Sequence, residues 1–270
     1  MNAFMNHFSF EFRTGIRNRS LLFMTYLFPL SVYFLLGALM TAVNPTFKET
    51  MIPAMIIFAF LASLFLSLPD PLVNARRAGI FRSYWINSVP ASSILTIPLL
   101  SAFLHLIVIG AFITISAPLL FHAPLPVNWL NFILVFVVTI FACGGLGLLI
   151  GVISSSSQMT MLLGQLVFLP SMLLGGLMMP ASLLPAVLAK ISLLLPTSHA
   201  MLAFQGLAYN LQTPSNPLWS LLVLFTGGLL AVGLALYLFT WDNPDSRQKK
   251  KFPLAFLALL PYVLGLIFLS

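Results

Sequence analysis

Charge is what this sequence lacks most: 6% of its 270 residues are Asp, Glu, Lys or Arg, against 60% hydrophobic. A water-soluble domain carries about a quarter charged residues, and a fold with so few cannot cover its surface against water. Lipid must therefore solvate most of the outer face. Acidic groups are scarcest: Glu11, Glu49, Asp70, Asp242 and Asp245, none of them inside an apolar run. Ion-coupled carriers and proton pumps place ionisable groups near the bilayer midplane. Here His105 alone stands within a run, and a lone histidine on an apolar helix is more often packed against a neighbour than a proton relay. The single cysteine, Cys143, excludes an intrachain disulfide and any Cys-based metal spacing. His-Glu-x-x-His, Gly-x-Ser-x-Gly and P-loop motifs are absent too. Ser154 to Ser157 form a hydrophilic turn with no base nearby. The chain reads as no enzyme and no ATPase, with no metal or cofactor of its own. Uphill transport would draw its energy from another subunit.

What is present is a series of long apolar runs, each near the ~20 residues that a helix needs to cross the hydrocarbon. They are Leu21 to Val43, Met51 to Leu68, Ile94 to Leu120, Trp129 to Ile153, Met159 to Met178 and Leu218 to Trp241. The second ends at Pro69-Asp70-Pro71. A last run, Phe252 to Leu269, is short and holds Pro253 and Pro261, so its crossing is left open. The net charge of +7 is not a nucleic-acid footprint, because the basic residues flank the runs. Arg13, Arg17 and Arg19, then Arg76, Arg77 and Arg82, then Arg247 and Lys249 to Lys251 make ten of the twelve Lys and Arg. With six spans all three groups fall on one side, which places them and the N-terminus in the cytoplasm and leaves Lys48 and Lys190 outside.

Ahead of the first span, Phe4, Phe8, Phe12 and Ile16 recur every four residues, which predicts an amphipathic helix over residues 1–19 lying in the headgroup plane. Between the fifth and sixth spans, Gly175-Gly176 and Pro180 break one helix and Pro196 breaks the next, with Pro185 opening a short apolar helix between them. Half-length helices between breakers predict an outer re-entrant or interfacial hairpin over 175–200. The fold class is an all-α integral membrane protein: a six-helix core in one domain, 1–270, with no internal repeat.

Two segments carry a family likeness. The loop over 70–92 holds Arg76, Arg77, Gly79, Phe81, Arg82, Trp85 and Pro90. It resembles the cytoplasmic loop of type-2 ATP-binding-cassette export permeases, in which a charged cluster precedes a glycine, an apolar helix and a proline. This sequence lacks the acidic residue common at the start of that pattern. The second segment, with Gly176, Pro180, Pro185 and Pro196 in order, is similar to the family's outer segment before its last core span. The resemblance implies a permease subunit in the cell membrane, paired with a second copy or paralogue. It implies two ATP-binding subunits that supply ATP and Mg, with the loop as a coupling helix and the hairpin as an outer gate. The Phe- and Leu-rich spans fit a hydrophobic or amphipathic cargo such as a drug, an antibiotic or a lipid-like molecule. The other classes in view are a stand-alone secondary carrier and an assembly or anchoring membrane protein. The run after Lys251 departs from the family's six spans.

Overall fold

The computed structural model describes residues 2–43, 47–178, 184–242 and 251–269. Among these no strand occurs, and six helices are long and apolar enough to cross a membrane. The amphipathic α1 (Asn2–Arg17) is followed by the spans α2 (Arg19–Met40) and α3 (Phe47–Arg77), then by a short helix α4 (Ile80–Ile86). The spans α5 (Ala91–Phe121), α6 (Trp129–Ile153) and α7 (Ser157–Leu174) come next. A bent pair, α8 (Ala186–Ser192) and α9 (Pro196–Ala208), precedes the sixth span α10 (Pro217–Leu238) and a tail helix α11 (Phe252–Phe268).

The helix starts follow the local chemistry. Asn18 accepts from the backbone N–H groups of Ser20 and Leu21, Asn128 from Asn131, Ser156 from Met159 and Asn216 from Leu218. Each polar side chain thereby satisfies a donor orphaned at a helix start. Within lipid such satisfaction is obligatory.

Helix α3 is the axis of the bundle, buried along nearly its whole length, whereas little of α2 and α7 is buried. Neighbours approach it closely because glycines face it. A Cβ on Gly147 of α6 would strike the Leu64 carbonyl, and one on Gly164 of α7 the Phe65 carbonyl. Such backbone-to-backbone packing is the usual means of helix association in lipid, where apolar burial gives no drive. Phe60 of α3 meets Phe136 of α6 edge-on at 4.9 Å between centroids.

One predicted boundary is corrected. The second span does not end at Pro69-Asp70-Pro71; the helix runs on to Arg77. A π segment, Ala62–Ser67, directly precedes these prolines. It widens the turn, with the Leu68 N–H reaching back to the Ser63 carbonyl at 3.0 Å, so the proline rings enter without the usual break.

The tail helix α11 lies along α10. Lys251 sits 5.7 Å over the Tyr237 ring, Tyr262 fills the space beside Gly227, and Gly265 lies against Val223 and His199. Its first eight residues, Phe252–Leu259, are 3-10 helix. At about 2.0 Å per residue there and 1.5 Å beyond, α11 extends about 30 Å, the thickness of the hydrocarbon. Its residue count alone understates its reach.

Candidate functional site

The predicted docking residues gather at one end of the bundle. Gly79 makes the joint between α3 and α4: it adopts φ +73°, and the space around it is open. Glycine is needed there for its backbone, since a left-handed conformation strains residues with a Cβ. At the other end of α4, Ser88 takes φ 58° and the Val89 N–H bonds the Tyr84 carbonyl at 2.9 Å. Pro90 then opens α5. The short helix is thus defined by a sharp turn on each side.

The basic and aromatic residues divide into two groups. Arg76 and Phe81 face inward, each 3% exposed. Arg76 donates from Nη1 to the Val152 carbonyl at 2.8 Å, and from Nη2 to the Ser154 carbonyl and to that of Gly151 at 3.5 Å. These carbonyls end α6, so the guanidinium caps that helix and meets the negative end of its dipole. Phe81 packs on Phe239, just past α10, at 5.5 Å between centroids. Phe81 thus holds α4 against the end of α10, and Arg76 holds the end of α3, from which α4 departs, against α6. Arg77, Arg82, Trp85 and Ile86 face outward, with Trp85 62% and Ile86 73% exposed.

Helix α1 joins the same end. Phe12 stacks on His105 of α5, 5.0 Å between centroids and 15° between planes, and Phe8 stacks on Phe12. Tyr26 of α2 completes the cage, its hydroxyl 2.7 Å from His105 Nδ1. His105 is therefore a packed histidine that ties three helices together. The inward face of α1 carries Glu11, Phe12 and Gly15, while Ile16 is exposed. The side chain of Phe4 lies outside the described residues. Burial pushes the Glu11 carboxyl up. The Tyr84 hydroxyl is pushed up by burial and, secondarily, by the charge of Glu11, which sets α1 beside α4. Neither Glu11 nor Phe239 stood out in the sequence. A carboxylate on an amphipathic helix ordinarily faces water, and a phenylalanine at the end of an apolar run carries no signal.

The proline-rich segment stands at the opposite end. Gly176 adopts φ +78°. Pro185 precedes α8 and Pro196 opens α9, with a bend of 92° between the two. His199, fully buried, spans that bend from Nε2 to the Leu193 carbonyl at 2.8 Å. Pro180 lies outside the described residues. The residues expected to dock and those of the hairpin thus lie apart, joined by the long spans. No group of three or more metal-ligating side chains occurs among the described residues.

Neither the curated proteins nor the solved structures gave a match to this chain. A family model described as ABC-2 type transporter matches residues 3–209, from α1 through the bent pair and short of α10 and α11. With more than half its length matched, this multi-pass chain belongs to the ABC-2 type transporter family, as a membrane permease component.

Proposed function

We propose that this chain is the membrane subunit of an ATP-driven exporter, working as a pair of permease subunits with two separate ATP-binding subunits. It sits in the cell membrane with its N-terminus and α4 in the cytoplasm, and moves a hydrophobic or amphipathic cargo outward. The observation that carries this reading is α4 itself. A seven-residue helix presents Trp85 and Ile86 outward, with Arg82 on the same helix and Arg77 just before it, while Phe81 fixes it to the end of α10 and Arg76 fixes the preceding end of α3 to α6. Exposed tryptophan and arginine on a rigid platform are the residue types that dominate protein interfaces. An ordinary connection between spans would have no use for them. Closure of the ATP-binding pair would push on α4, and the bent pair α8–α9 would guard the exit. ATP and Mg belong to the partner.

The test is copurification with a P-loop ATPase encoded beside this gene. Trp85→Ala should weaken the complex thirtyfold or more, as for an interface anchor of about 2 kcal/mol. The isolated subunit should keep its stability to within about 0.5 kcal/mol. Unchanged complex formation and ATPase activity in that variant would refute the docking role of α4.

A further inference from the structure

A second site lies at the basic end, in a cleft of about 290 Å³ between the start of α2, the end of α3 and the start of α7. Its floor is Asp70, which the run-on of α3 carries into the bundle. One carboxylate oxygen, Oδ2, accepts from Asn74 Nδ2 at 2.8 Å, and Asn74 Oδ1 in turn accepts from Ser157 Oγ at 3.0 Å. The asparagine is held from the α7 side and fixes the carboxylate. The other oxygen, Oδ1, is buried and has no hydrogen-bond partner. No lysine or arginine lines the cleft, and no cationic side chain among the described residues pairs with Asp70.

The rest of the lining matches a particular kind of guest. Pro69 and Pro71 line the cleft and bring no backbone N–H to it. Ser20, Ser67 and Thr160 add hydroxyls, and Met24, Phe65 and Met161 supply soft apolar walls. Met161 stands at the rim, 59% exposed on the lipid-facing side of α7. Acceptors at the floor, flexible thioether and aromatic walls above and an opening toward lipid suit a molecule with a positive donor at one end and an apolar body. A buried carboxylate oxygen without a donor is costly to leave empty-handed.

We infer that this cleft binds cationic amphipathic molecules, with the ammonium at the Asp70 carboxylate and the apolar body between Met24, Phe65 and Met161. This rests on the exporter reading and sharpens it, naming the cargo as an aromatic or aliphatic amine taken from the inner leaflet. The test uses the permease alone in phosphatidylcholine nanodiscs. Dansylcadaverine, an aromatic primary ammonium, is titrated by fluorescence against its neutral N-acetyl derivative, with empty discs subtracted. Wild type should bind the amine saturably and at least tenfold more tightly than the acetylated form. Asp70→Asn should abolish that preference while keeping the thermal midpoint of the fold. Met161→Trp, which narrows the rim and leaves Asp70 untouched, should weaken amine binding on its own account. Equal binding of the two probes to wild type, or an undiminished preference in Asp70→Asn, overturns the proposal. The ATP-binding partner is absent from this measurement, so its failure leaves the docking reading standing, and a failed docking test leaves this one standing.

Discussion

Arg76 provides the sharpest test of how the docking platform is built. It is 3% exposed, and its guanidinium serves the carbonyls of Gly151, Val152 and Ser154 at the end of α6. Two of these are close bonds from a charged donor, each of a kind that contributes about 1.5–3 kcal/mol. The bond to Gly151 is at the outer limit and adds little. Arg76→Ala strips the donors and leaves the buried carbonyls without partners, so a loss of about 3–5 kcal/mol is expected. Arg76→Lys keeps the charge near the helix dipole but replaces a planar fork by a point donor, and should lose about half as much. The assay is chemical and thermal unfolding of the isolated permease in detergent micelles, with Arg77→Ala as the exposed comparison. Arg77→Ala should leave stability within about 0.5 kcal/mol of wild type and weaken only the ATPase complex. If Arg76→Ala unfolds like wild type yet fails to bind the partner, the side chain points outward and the capping argument is wrong.

The joint at Gly79 makes a related prediction. Gly79→Ala meets no atom but must hold φ +73°, a strain of about 1–2 kcal/mol, so α4 should re-aim and ATPase stimulation fall. Gly79→Asn, better suited to the left-handed region, should recover much of the activity; equal loss in both would point to a need for bare backbone at the interface. Glu11 predicts a pH dependence. Its folded-state carboxyl is held above the ordinary 4.5 by burial, so its contribution favours the folded state below that value and is lost as pH rises through the raised one. Glu11→Gln should therefore melt above wild type at neutral pH, with the gap closing near pH 4. A wild type that is the more stable at neutral pH would refute the sign.

Much of the architecture is written in hydropathy alone. The fourth span, Trp129–Ile153, has the same bounds in sequence and structure, because Asn128 and Ser154 are polar at both edges of an uninterrupted run. Periodicity cannot foresee a π turn, since the widened ring is a packing outcome and Ala62–Ser67 lies inside a continuous uncharged run. That hid the passage of α3 through two prolines, and with it the position of Asp70. The loop proposed to dock was legible as an apolar-basic segment. Which of its members face inward was not, because Arg76 and Arg77 are chemically the same residue and only the end of α6 distinguishes them. The same limit applies to α1. Its phenylalanine stripe is plain, but Phe12 turns onto His105 while Ile16 is left outside, a choice made by α5 and not by the repeat.

The unbroken course of α3 has a mechanical consequence. From Phe47 to Arg77 it is one rod of 31 residues, about 46 Å long at the usual rise, and at its basic end it is clamped to α6 through Arg76. A push on α4 of the kind proposed above would pass through Gly79 to α3 and α6 together, and a tilt of α3 about a point within the bundle would move its Phe47 end in the opposite sense. Displacement at the far face then scales with lever length. Motion at Gly79 would thereby reach α9, which packs against the Phe47 half of α3, without any helix unwinding.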